Sequence, residues 1–225
     1  MLMGQTLSLR TADGKTIGAY RADPQGTPKG ALVVLQEIFG VNAHIRSVAD
    51  RFAAAGYVAI APALFDRAQP GVELGYEAAD VQQGLKLRGE VPEEATFADI
   101  RAAVEAVSGE GKVGIVGYCW GGSLAFASAN RVPGLSAAVG YYGGQIVSQF
   151  LNCAPKIPVL LHFGERDAHI PQSDVAQIGA RYPSVEIETY PADHGFNCDM
   201  RAAYDPASAA LALDRTLAFF ARHLS

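Results

Sequence analysis

Charge is scarce in this sequence. Asp, Glu, Lys and Arg make up 18% of its 225 residues, against 49% hydrophobic. That balance excludes a disordered chain and supports one large buried core. The 18 basic side chains are outnumbered by 23 acidic ones, for a net charge of −5, and they form no run. Nucleic acid is therefore not an expected partner. No apolar stretch is long enough to cross a bilayer; the longest, from Tyr57 to Phe65, is broken by Pro62, so no membrane association is expected. Met1-Leu2-Met3-Gly4-Gln5 has neither a basic region nor a long apolar segment, and no signal peptide is expected. There are only three cysteines, an odd count without framework spacing, which points to a reducing compartment and so to the cytoplasm. His44, His162, His169 and His223 have no metal-ligand spacing, and the glycines from Gly140 to Gly144 do not form a phosphate loop. Neither a metal nor a cofactor is expected. Repeats, low-complexity tracts and linkers are also missing, so residues 1–225 read as a single domain.

What is present is an alternation of elements. Thr6 to Arg10 and Thr16 to Tyr20 read as a hairpin about Asp13-Gly14. Ala31 to Leu35, Tyr57 to Ala61, Val113 to Val116, Leu135 to Tyr142 and Val159 to Phe163 are the continuous apolar runs of strands buried on both faces. Val185 to Tyr190 alternates as an outer strand. Between them lie helical patterns. One is capped by Asn42 and carries Ile45, Val48, Ala49 and Phe52. A weak one leads up to Arg88 and is ended by Gly89. One opens at Pro92-Glu93-Glu94 with Phe97, Ile100, Val104 and Val107, and one follows residue 121. A short one spans Val175 to Arg181, and the last, from Asp205-Pro206, carries Leu211, Leu217, Phe219 and Phe220. A hairpin followed by alternating strands and helices predicts a mostly parallel sheet of about eight strands covered on both faces.

Gly117-Tyr118-Cys119-Trp120-Gly121 sits between a buried strand and a helix. This is the setting of a nucleophile elbow, G-x-S-x-G, with Cys in place of Ser. The turn places Cys119 above the sheet at a helix N-terminus, where the dipole favours an anion. Glu37, Cys119, Asp167 and His194 all fall at carboxyl ends of strands, where function gathers in open α/β sheets. The order nucleophile, acid, histidine assigns Cys119 as nucleophile, His194 as base and Asp167 as the group that orients the imidazole. Glu165 and Asp193 are neighbouring alternatives for the acid. Trp120 N–H, after the nucleophile, and Ile38 N–H, after the strand ending near Leu35, are the expected oxyanion donors. A carboxylate at Glu37 beside that hole needs a reason. A hydrogen bond to the Cys119 thiol that keeps the thiol neutral until substrate arrives is one; an acid pointing to solvent is the other. Cys198 reads as a packing thiol that could face the site, and Cys153 shows no partner.

Gln36-Glu37-Ile38-Phe39-Gly40, Gly117 to Gly122, Gly164-Glu165-Arg166-Asp167 and His194-Gly195-Phe196 together resemble the dienelactone hydrolase (carboxymethylenebutenolidase) family, from about Gly30 to the C-terminus. The resemblance implies the α/β-hydrolase fold and a cofactor-free carboxylic ester hydrolase with a Cys-Asp-His triad. It also implies a glutamate, here Glu37, in contact with the nucleophilic thiol. The family reaction opens 4-carboxymethylenebut-2-en-4-olide to maleylacetate, holding the substrate carboxylate with two arginines. One of these lies before the second long helix, where this sequence offers Arg67 and Arg88. The other follows the histidine by four residues, where this sequence has Cys198, with Arg201 three further on. Tyr76, Tyr141, Phe196 and Cys198 are further candidates for the pocket wall, together with Tyr118, Trp120 and Tyr204. The expected partner is a small ester or lactone, acting on a monomer or small homo-oligomer. A general carboxylesterase or thioesterase is the alternative within enzymes, and a hydrolase-fold binding protein without turnover is the alternative outside them.

Overall fold

The computed structural model describes residues 4–224. Eight strands form one sheet in the order β1-β2-β4-β3-β5-β6-β7-β8. They are β1 (Gln5–Arg10), β2 (Thr16–Ala22), β3 (Ala31–Leu35), β4 (Val58–Pro62), β5 (Val113–Tyr118), β6 (Leu135–Tyr141), β7 (Val159–Gly164) and β8 (Glu186–Tyr190). The pairs β1–β2 and β2–β4 are antiparallel, and from β4 to β8 every pairing is parallel. The continuous apolar runs have become the central strands: every residue of β3, β4 and β5 is buried. β8 closes the sheet at the far edge and is only half-buried, which accounts for its alternating sequence.

Among the described residues six helices cover the sheet: α1 (Ala43–Ala54), α2 (Ala78–Glu90), α3 (Glu93–Val107), α4 (Trp120–Arg131), α5 (Gln172–Arg181) and α6 (Pro206–Leu224). On one face Phe52 of α1 meets Phe220 of α6, with ring centroids 6.4 Å apart. On the other, Phe126 of α4 packs on Tyr182 at the end of α5 at 5.9 Å. Asn42 caps α1 through its side-chain oxygen, which accepts from Ile45 N–H. No helix among the described residues is long and apolar enough to cross a membrane.

Three details differ from the sequence reading. α2 continues through Gly89 to Glu90 and stops at Val91, which is extended at φ −92°, ψ 118°. A glycine costs a helix only about 1 kcal/mol, whereas the residue before Pro92 is sterically barred from the helical region. Leu211, expected on the apolar face of α6, is 46% exposed, while Phe219 and Phe220 are fully buried. The segment after β6 contains a π-helical turn at Ile146–Phe150 that no sequence signal marks.

The strand order reverses between β3 and β5. The chain runs from β3 outward to β4, then crosses back to place β5 on the other side of β3. The loops leaving the two strands therefore diverge and leave a crevice at their carboxyl ends. Residues 36–40 leave β3 and the 119–121 turn leaves β5.

Candidate active site

Cys119 lies at the turn between β5 and α4 with φ 54° and ψ −113°, in a region that non-glycine residues rarely occupy. Its neighbours hold it there. Cys119 N–H donates to Tyr141 O at 3.0 Å, and Gly121 N–H donates to Gln36 O at 3.1 Å. A side chain at Gly117 would collide with Gly121 O, and one at Gly121 with Gln36 O and Leu35 O. The two glycines are thus required by close backbone approach. Gly122 is excluded from carrying a side chain in the same way by Tyr141 O. Tyr142, the other non-glycine residue with positive φ (39°), presses its ring against His194 with centroids 5.1 Å apart.

His194 and Asp167 meet across two adjacent loops. Gly164, at the end of β7, allows these loops to touch, since any side chain there would strike Ala192 O. His194 Nδ1–H donates to Asp167 Oδ2 at 2.7 Å, and the other carboxylate oxygen accepts from His169 N–H at 2.8 Å. Asp167 is 6% exposed, while Glu165 and Asp193 point to solvent. The structure thus pairs Asp167, and neither alternative, with the imidazole. Burial works against a charged ring at His194, but hydrogen bonds to Asp167 and to Cys119, and the charges of both, raise its pKa from 6.5 to about 10.

The oxyanion candidates also converge. Trp120 is the first residue of α4, so its N–H has no intrahelical acceptor. Ile38 N–H takes no acceptor among the turn and loop hydrogen bonds of the described residues. α2 crosses directly over this loop: a side chain at Gly84 would strike Ile38 O. Gln36 braces the loop from behind, its Oε1 accepting from Leu64 N–H at 3.1 Å and its Nε2 donating to Glu37 O at 3.2 Å.

Glu37 is 1% exposed, which removes the solvent-facing alternative. Its carboxylate accepts from Tyr76 Oη–H and from Arg201 Nη1–H, both at 3.4 Å. No hydrogen bond joins it to Cys119, whose sulfur is instead engaged by His194. Tyr76 also accepts from Asn42 Nδ2 at 3.1 Å, so it serves as a brace for Glu37 and not as part of the cavity wall. Beside it, burial first and the Glu37 charge second push the Cys198 thiol up to about 11.

A cavity of about 310 Å³ opens over this constellation, walled by Ile38, Phe39, Val81, Leu85, Arg88, Cys119, Trp120, Ser123, Gly144, Gln145, His169, His194 and Arg201. Arg88 makes no side-chain ion pair among the described residues, and Arg201 pairs only with Glu37. Both arginines line the same cavity as Cys119. Leu85, Gln145 and His169 escaped the sequence reading, since no motif marks them.

Several sequence candidates do not line the cavity. Tyr141 and Phe196 are fully buried core residues, and Tyr141 Oη is spent on Thr216 Oγ1 at 2.7 Å. Tyr118 is equally buried, Cys198 lies beneath the cavity, and Tyr204 is at the surface. Arg67 is far from the role proposed for it. It grips the fully buried Asp99 of α3 with Nε and Nη2 at 2.7–3.0 Å, and Asp13 with Nη1 at 2.7 Å. An aspartate inside α3 requires a countercharge, and Arg67 is the one that reaches it. Arg67→Ala should therefore lower unfolding free energy by about 3–5 kcal/mol in a denaturant titration. Its selectivity between anionic and neutral substrates should stay unchanged.

Residues 17–224 match the model of the dienelactone hydrolase family. The chain belongs to that family. A carboxymethylenebutenolidase from Pseudomonas putida is 35% identical over 232 residues, covering 98% of this chain and 97% of its own. A solved structure assigned as a dienelactone hydrolase from Klebsiella pneumoniae superposes with a TM-score of 0.85 at 32% identity, covering 98% of each chain. An esterase from Pyrococcus furiosus shares the fold alone, at a TM-score of 0.73 and 16% identity over 99% of this chain and 93% of its own. This dienelactone hydrolase family member therefore has the α/β-hydrolase fold and the enzyme class expected from its sequence, a hydrolase of carboxylic esters.

Proposed function

We propose that the enzyme opens small anionic lactones and activated esters through a thioester on Cys119. The observation that carries this reading is the meeting of Cys119, the His194–Asp167 pair and two arginines on one cavity. His194, whose raised pKa favours the imidazolium, already holds the Sγ–H proton as the sulfur attacks the ester carbonyl carbon. The carbonyl electron pair moves onto oxygen, where the N–H groups of Ile38 and Trp120 receive it. Collapse of this intermediate breaks the carbon–oxygen bond, and His194 returns its proton to the departing oxygen. In a lactone that oxygen stays tethered to the acyl group, so the ring opens. Water, deprotonated by His194, then attacks the thioester, the carbon–sulfur bond breaks, and the sulfur leaves to recover its proton. Asp167 keeps the imidazole in the tautomer with Nδ1–H and stabilises the imidazolium.

A carboxylate-bearing substrate suits the cavity because Arg88 has no competing anion among the described residues and Arg201 holds Glu37 at the long distance of 3.4 Å. A substrate carboxylate would compete with Glu37 for Arg201. The three free thiols and a thiolate-dependent reaction suit a reducing compartment such as the cytoplasm. A small-molecule substrate is the only partner this chemistry requires.

The test compares Arg88→Ala and Arg201→Ala with the wild type on a dienelactone and on 4-nitrophenyl acetate. Loss of a charge-assisted bond should raise KM for the anionic lactone by about 10–100-fold. kcat/KM for the neutral ester should change little. Equal losses on both substrates would contradict the carboxylate clamp and favour a general esterase.

A further inference from the structure

Beneath the cavity lies a second group of side chains, of which Glu37 alone also belongs to the site above, as the anion of Arg201. A carboxylate oxygen of Glu37, a ring nitrogen of His44 and the sulfur of Cys198 lie within 4.8 Å of one another. All three residues are buried, at 1%, 0% and 0% exposure. His44 reaches the group from the first turn of α1, Glu37 from the loop after β3, and Cys198 from the loop before α6.

His44 supplies a second, independent observation. Its Nδ1 is hydrogen-bonded to Asp199 Oδ1 at 3.2 Å. Its Nε2 is buried and has no hydrogen-bond partner among the described residues. A buried polar nitrogen without a partner is rare and costly. A histidine held at one nitrogen by a carboxylate, with the other nitrogen free, is the usual arrangement of a metal-binding imidazole.

We propose that Glu37, His44 and Cys198 bind a borderline-soft divalent cation of the zinc class. Sulfur, imidazole and carboxylate are the donor types that zinc prefers, and three protein ligands leave a fourth position open. Tyr76 Oη lies 3.4 Å from Glu37 Oε2. Coordination converts the Cys198 thiol to thiolate and releases one proton to solvent. The two positive charges of the ion are then balanced by one thiolate and one carboxylate, which leaves the buried group neutral. Arg201, now the countercharge of Glu37, is the competitor the ion must displace. Binding therefore frees this guanidinium toward the cavity. Its ligands include neither Cys119 nor His194, and it meets the ester site through Glu37 and Arg201.

The test needs Cys198 as the sole thiol, because Cys119 beside His194 would also capture thiophilic ions. In a Cys119→Ser/Cys153→Ser protein, titration with Co²⁺ should produce a thiolate-to-cobalt charge-transfer band that saturates near one equivalent. Added Zn²⁺ should displace it. Adding Cys198→Ser should abolish the band, and adding His44→Gln should weaken Co²⁺ binding by about 100-fold or more. Thermal melting of each variant without metal shows whether it is folded; if His44→Gln is not, the Cys198→Ser result decides. Absence of the band, its survival in Cys198→Ser, or unchanged affinity in a folded His44→Gln protein would each overturn the proposal.

Discussion

Replacing Cys119 with alanine is expected to lower kcat on a dienelactone by on the order of 10⁵–10⁶-fold, the scale on which a hydrolase loses turnover with its nucleophile. The remaining donors, Ile38 N–H and Trp120 N–H, would still polarise a bound carbonyl, so a residual rate above that of water should persist. Substrate affinity should survive, because Arg88 and Arg201 are untouched on the cavity wall. The fold should survive as well. The elbow is held by backbone hydrogen bonds, Cys119 N–H to Tyr141 O and Gly121 N–H to Gln36 O, and an alanine keeps both. Single-turnover kinetics with a circular dichroism control checks this outcome. Loss of turnover together with loss of fold would not count in its favour.

Asp167→Asn should cost about 10⁴-fold in kcat. Asp167 accepts from both His194 Nδ1–H and His169 N–H. An asparagine has one oxygen and one NH₂ group, so it cannot accept both bonds with equal geometry, and it carries no charge to support an imidazolium. The change should also be visible in stability. The His194 pKa rises from 6.5 to about 10 on folding, despite burial, through its bonds to Asp167 and Cys119. The folded protein therefore holds this proton more tightly than the unfolded chain. The associated stability is fully present below pH 6.5 and is lost as pH rises through about 10. In Asp167→Asn burial is opposed by Cys119 alone, and the decline of the thermal midpoint over that window should flatten. A profile identical to that of the wild type would mean that Asp167 does not govern this proton.

The chemistry-bearing backbone could be read from one dimension because steric rules fix it. The glycines at 117 and 121 are demanded by the crossing of the elbow over the loop after β3, and that demand repeats at fixed spacing wherever such a turn is built. Strand ends could be read equally well, since Pro62, Gly143 and Gly164 follow apolar runs. Partnerships between distant side chains could not. Arg67 sits in the segment expected to shape the pocket, and nothing local reveals that α3 buries Asp99 within its reach. Arg201 is out of register with the arginine implied by the family resemblance, yet the loop after His194 returns its guanidinium to Glu37 and the cavity. Tyr141 and Phe196 share the aromatic character of a pocket wall but are enclosed by the core. His44 carried no spacing signal because its neighbours Glu37 and Cys198 come from separate loops. The weak pattern of α2 has a similar origin: only Gly84 and Leu87 are buried, and its contact with the loop at Ile38 is made through a glycine.

The central claim is a covalent bond between substrate and Cys119. It is tested most directly by quenching the enzyme with acid during turnover of 4-nitrophenyl acetate and mapping the acetyl group by peptide mass spectrometry. The account predicts acetyl on the peptide containing Cys119, localised to the sulfur, removable with hydroxylamine and missing from Cys119→Ala. Acetyl found on Ser123 or elsewhere, with Cys119 unmodified while 4-nitrophenol is released in a burst, would contradict it.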